Sequence, residues 1–168
     1  MIKIVFTGPE CSGKTTLSSE IAKKFNAPWV QEYAREYLMN LGSSYEHLDL
    51  LKIAKGQLKL ERKSAKKTKS LLICDTNLQV IKIWSHLKYS KCDPFILANQ
   101  DPSAYYVLCY PDFPWKKDPF RENKNDRLEL FQHYHQDLIQ NKHKFIVARG
   151  NHENRMSFLE SAILKMIS

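Results

Sequence analysis

Long apolar runs are missing from this 168-residue chain. No stretch approaches the roughly 20 consecutive apolar residues that a membrane-spanning helix needs, so no helical span is expected. The first residues already read as a β-strand, so no cleavable signal is expected either. Cysteine is sparse: Cys11, Cys74, Cys92 and Cys109 are widely separated, with no C-x-x-C pair. A zinc site or a disulfide framework therefore has no support, and a soluble protein of the reducing cytoplasm fits best. His133 and His135, two apart on a predicted helix, point in different directions and suggest no metal pair. Internal repeats and low-complexity linkers are absent too. Acidic residues are the minority, 18 against 26 Lys and Arg, for a formal charge of +8. Such an excess suits anionic substrates, nucleic acid or an acidic surface without choosing among them.

The length, with 43% hydrophobic residues, is enough for one α/β domain over residues 1–168 with a core of its own. Ile2, Ile4, Val5 and Phe6 form a short β-branched and aromatic run that reads as a buried strand. Leu17, Ile21 and Phe25 then recur every four residues among Ser and Lys, the pattern of an amphipathic helix. Further strands are expected at 27–31, 71–75, 104–109 and 145–147. Helices are expected from 32 towards Gly42, over 46–67, from 78, from Pro94, over 125–140, and at the end around Phe158, Ala162 and Ile163. Strands alternating with helices predict a mainly parallel sheet of about five strands covered on both faces. Ligands would sit at the carboxyl ends of its strands.

Between the first strand and the first helix lies Gly8-Pro9-Glu10-Cys11-Ser12-Gly13-Lys14-Thr15, which satisfies every fixed position of the phosphate-loop pattern G-x-x-x-x-G-K-[ST]. Gly8 and Gly13 let the backbone amides of Glu10, Cys11 and Ser12 turn inward as a concave nest, and the helix N-terminus adds partial positive charge. Lys14 supplies a mobile charge for the β and γ phosphates, the Thr15 hydroxyl is placed to ligate Mg²⁺, and Thr16 adds a second hydroxyl. A P-loop NTPase that binds ATP with Mg²⁺ is the fold class this predicts.

In a parallel sheet Gly8, Glu32, Asp75, Tyr110 and Arg149 emerge at one edge and can line one cleft. Asp75 ends an apolar strand in a Walker-B-like position, suited to the Mg²⁺ water shell or to a substrate hydroxyl. Glu32 could accept the proton of an attacking hydroxyl or bind ribose hydroxyls. Arg35 could pair with Glu32 or reach the acceptor. Residues 111–127, long, charged and broken by proline, read as a lid whose Arg121 and Arg127 bring positive charge to the transferred group while water is excluded. Asn123-Lys124-Asn125-Asp126 spells the guanine-reading N-K-x-D of GTPases, but a dozen polar and proline-rich residues separate it from a strand, and Asp75 lacks the glycine of D-x-x-G. The stripe Lys52, Lys55, Lys59, Arg62 and Lys66 reads as a solvated helix face rather than a nucleic-acid site.

The phosphate loop, Glu32-Tyr33-Ala34-Arg35-Glu36-Tyr37, Gly56-Gln57, the Leu72-Ile73-Cys74-Asp75-Thr76 strand end and the spacing Trp115-x-x-Asp118-x-x-Arg121 together resemble, in order and over nearly the whole chain, the ribosylnicotinamide kinase domain of the NadR type. The resemblance implies ATP- and Mg²⁺-dependent phosphorylation of the 5′-hydroxyl of nicotinamide riboside. Gly13, Lys14 and Thr15 would serve ATP and the metal, Glu32 and Asp75 the acceptor side, and Arg121 and Arg127 the lid. Tyr33, Arg35, Gln57, Trp115 and Asp118 belong to the matching blocks and are expected near the acceptor. Gln31 stands where an aromatic residue often precedes the Glu-Tyr pair. No adenylyltransferase domain accompanies the kinase-like part, so a bifunctional role is not expected. Kinases of other nucleosides and acceptor-free ATPases use the same loop and are the alternatives.

Overall fold

The structure is a computed structural model describing residues 1–119, 121 and 125–167. Its elements run β1 (Ile2–Thr7), α1 (Lys14–Lys24), β2 (Trp29–Val30), α2 (Tyr33–Leu41), α3 (His47–Ala65), β3 (Leu71–Asp75), α4 (Leu78–Tyr89), α5 (Pro94–Ala98), β4 (Tyr105–Cys109), α6 (Arg127–Gln140), β5 (Lys144–Ala148) and α7 (His152–Ile167). The strands form one sheet in the order β2-β3-β1-β4-β5, and every pairing is parallel. After β1 the chain goes first to the edge strand β2, returns inward to β3 beside β1, then crosses to β4 and continues outward to β5 on the other side. The reversal falls beside β1, and such a switch point opens a crevice beyond the strand ends.

Side chains alternating along β1 feed two core layers. Ile4 and Phe6 pack with Leu17 and Ile21 of α1 and with Leu159 and Ile163 of α7. Val5 faces the opposite layer with Leu72, Tyr106, Phe131 of α6 and Ile83 of α4. A third cluster joins α3, α4 and α5 through Leu50, Ile53, Leu78, Ile81 and Ile96, and the Tyr33 and Tyr37 rings of α2 pack against it. Among the described residues no helix is long and apolar enough to cross a membrane. All four cysteines are free.

The expected second strand over 27–31 shortens to Trp29–Val30. Pro28 still accepts the Ile73 amide through its carbonyl at 3.1 Å, but by Glu32 the backbone has turned to cap α2. That helix ends at Gly42, in the left-handed region at φ 68, as glycine allows. The expected lid holds no helix or strand among its described residues before α6 begins at Arg127. Of the N-K-x-D string, Asn123 and Lys124 lie outside the described residues, while Asn125 and Asp126 lead directly into α6.

Candidate active site

The loop after β1 has the backbone a phosphate nest requires. Gly8 has φ 124, and a Cβ there would stand 2.7 Å from the Cys109 carbonyl oxygen. Only glycine lets the loop cross the end of β4 so closely. Gly13, at φ 85, caps α1, and Cys11 also takes a positive φ of 52. The Ser12 hydroxyl donates to the Pro9 carbonyl at 2.7 Å. Lys14 Nζ donates to the Gly8 and Pro9 carbonyls at 2.9 and 2.8 Å, lying along the rim of the loop. No acidic residue occupies the first turn of α1, so the helix N-terminus keeps its attraction for anions.

Sheet register brings the carboxylates to this loop. Asp75 pairs with Phe6, and Val30 pairs with Cys74, so Glu32 and Asp75 leave adjacent strand ends. Burial pushes the Asp75 carboxyl above the usual range, against the pull of the Thr15 hydroxyl hydrogen-bonded to it and of the Lys14 charge. Its Oδ1 is buried and has no protein partner. Burial likewise raises Glu32, with Asp75 adding to the rise, while Lys14, Arg35 and Arg121 oppose it. The two acids and three cations thus share one electrostatic site.

That site is a cavity of about 1540 Å³, large enough for a nucleotide together with a second small molecule. Of the residues singled out in the sequence, Gly8, Glu10, Cys11, Ser12, Gly13, Lys14, Thr15, Thr16, Glu32, Arg35, Asp75, Asp118 and Arg121 line it. Arg35 binds Asp118 Oδ2 at 2.7 Å, and Arg121 donates to the Lys116 carbonyl at 2.7 Å. The segment expected to form a lid also rests on the phosphate loop: Trp115 Nε1 donates to Glu10 at 3.2 Å, and the Lys116 amide approaches Cys11 Sγ at 3.3 Å.

Five expected site residues lie behind or beside the cavity wall. Gln57 is buried in α3 and accepts the Tyr33 amide at 2.9 Å, so it anchors the start of α2. The Tyr33 ring packs on Gly56, where a Cβ would fall 2.0 Å from Tyr33 Cε1. Trp115 meets the loop through its bond to Glu10, and Arg127 donates to the Phe113 carbonyl at 2.8 Å. Arg149, exposed at the end of β5, stacks 4.3 Å over the Tyr110 ring. For Tyr33 and Gln57 the reason is packing: α3, which carries Gln57, takes the Tyr33 ring at Gly56 and the Tyr33 amide at Gln57.

Sequence reading also missed Arg155. It is fully buried and donates to the Ser12 carbonyl of the phosphate loop at 2.8 Å. The available signal was periodicity, since Arg155 lies in phase with the buried Leu159 and Ile163 of α7. An arginine on an apolar stripe needs internal partners.

Residues 3–155 match the AAA domain model AAA_28. The chain belongs to this AAA domain family. The chain is 26% identical over 151 residues to the trifunctional NAD biosynthesis/regulator protein NadR of Escherichia coli (strain K12), covering 85% of this chain and 37% of that protein. The structure is similar to that of a NadR protein in complex with NR, with TM-score 0.81 and 19% identity, over 99% of this chain and 51% of the other. It is also similar to the deoxyadenosine kinase of M. mycoides with bound dATP, with TM-score 0.64 and 17% identity, over 97% and 100% of the two chains. The AAA_28 chain therefore spans about half or less of the NadR proteins it matches, and its five-stranded parallel sheet is that of the P-loop kinase fold.

Proposed function

We propose that this domain is an ATP-dependent kinase that phosphorylates the 5′-hydroxyl of nicotinamide riboside to nicotinamide mononucleotide. The observation that carries the reading is the meeting of Glu32 and Asp75 with Lys14 and Thr15 in one cavity. The likeness to NadR, one structure of which is solved with NR, supports the choice of acceptor.

Phosphoryl transfer needs positioning and charge stabilisation more than covalent chemistry. The loop amides and Lys14 would grip the triphosphate, and Glu32 would hold the acceptor hydroxyl and take its proton. The charge of Arg121, beside Glu32, would stabilise the transferring group under the closed lid. The Thr15 hydroxyl and the orphaned Asp75 Oδ1 suit Mg²⁺ and its waters, a hard cation bound through oxygen. When bound, the ion would offset phosphate charge.

An acceptor-free ATPase would place a second carboxylate beside Asp75 to activate water. Here Thr76 and Asn77 follow, and the Asn77 side chain is committed to the Gln79 amide and to Tyr106, each at 3.0 Å. A nucleoside panel tests the proposal: nicotinamide riboside should stimulate ADP release strongly, and DNA or RNA should not. Stimulation by a different nucleoside alone would reassign the acceptor, and nucleoside-independent turnover would overturn the kinase reading.

A further inference from the structure

We propose that Arg155 is a positioning residue for phosphate binding: by holding the Ser12 carbonyl out of the nest, it aims the Gly13 amide into it. The inference rests on the nucleotide-binding reading above and adds a residue from the far end of the chain to it.

Arg155 is the largest fully buried side chain among the described residues, and each arm of its guanidinium is used. Nε donates to the Gly150 carbonyl at 2.9 Å, and Nη1 to the Ser12 carbonyl at 2.8 Å. Nη2 donates to the Tyr110 carbonyl and to Asp112 Oδ2, both at 2.8 Å. Asp112 Oδ2 also accepts the Gly150 amide at 2.6 Å, which fixes the carboxylate. One flat face of the guanidinium lies 4.5 Å over the Phe113 ring. That ring closes on Gly13, within 2.9 Å of where a Cβ would stand. One planar fork therefore ties together the loops that follow β1, β4 and β5.

The consequence follows from peptide geometry. In a trans peptide the carbonyl and the next N–H point in opposite directions within one plane, and no cis peptide occurs among the described residues. With the Ser12 oxygen drawn inward to Arg155, the Gly13 N–H must face the opposite side, where Gly13 lines the cavity. An amide pre-aimed in this way needs no reorganisation when charge arrives. Lysine has one nitrogen and no fork, so it could not hold the three loops at once.

The test is calorimetric binding of ADP and of inorganic triphosphate to Arg155→Lys and Arg155→Met, alongside thermal unfolding and separate KM values for ATP and acceptor. Affinity for triphosphate and for ADP should fall at least about tenfold, with a matching rise in the ATP KM and an acceptor KM unchanged within about twofold. A folded Arg155→Lys protein that binds triphosphate as the parent does would overturn the inference. Should both variants unfold, Asp112→Ala removes the oxygen shared by Nη2 and the Gly150 amide and so loosens the fork while leaving the guanidinium in place. It should weaken triphosphate binding severalfold, and unchanged affinity would overturn the inference equally. Failure of the parent protein itself to bind ADP or triphosphate would overturn the nucleotide-binding reading instead.

Discussion

Arg35, in the first turn of α2, holds Asp118 of the lid at 2.7 Å across the mouth of the cavity. The arginine side chain is 51% exposed, so the pair adds little to stability, on the order of 0–1 kcal/mol. Under the kinase reading proposed above, it would join residues 111–119 to the helix capped by Glu32, the proposed acceptor-side carboxylate. Arg35→Ala and Asp118→Asn should each lower kcat and raise the acceptor KM several-fold while the melting temperature hardly moves. In the double variant the losses should not add, because either change alone already opens the latch. Additive kinetic losses in that cycle would show that the two residues act separately.

The raised carboxyls give a pH signature. Glu32 binds its proton more tightly in the folded chain than in the unfolded one. Its contribution to stability is therefore fully present below the ordinary carboxylate range and is lost as pH rises through its raised value. Glu32→Gln should flatten that part of the melting-temperature profile and raise the melting temperature at neutral pH, while turnover collapses. Turnover of the parent should climb with pH along an acid limb placed above the usual carboxylate range. Asp75, raised by the same cause, predicts the same trade: Asp75→Asn should lose turnover and melt no lower than the parent. A folded Asp75→Asn enzyme with normal kcat would remove Asp75 from the chemistry.

Gly56→Ala probes the wall behind the proposed acceptor side. The added methyl would fall 2.0 Å from the Tyr33 ring, forcing that ring and the start of α2 to move. Overpacking of this kind costs about 1–3 kcal/mol, which urea unfolding can measure, and the displaced Glu32 should raise the acceptor KM as well. Parental stability together with parental KM would show that the ring has room to turn.

Much of the fold was legible because its signals are local. The burst of β-branched residues in β1, the four-residue recurrence in α1 and the apolar run of β3 appear as strand, helix and strand. Boundaries were less legible where tertiary contacts compete. The stub β2 ends early because Gln57, 24 residues further along, takes the Tyr33 amide and starts α2 there. Gln57 and Tyr33 read as site residues in their motif, yet their atoms serve the packing of α2 on α3. Arg149 shares the sheet edge with the site, as expected, but its side chain turns onto Tyr110.

The phosphate loop was determined by sequence alone, since all its requirements lie within eight contiguous residues and the two elements that flank them. Which acids face that loop was decided by the parallel register that sets Asp75 beside Phe6 and Val30 beside Cys74. The inward turn of Arg155 onto Ser12, 143 residues away, and the bridge from Arg35 to Asp118, 83 residues apart, were likewise settled only by folding. Such partners are chosen by the order of strands and the shape of the core, and neither is written in the neighbours of any one residue.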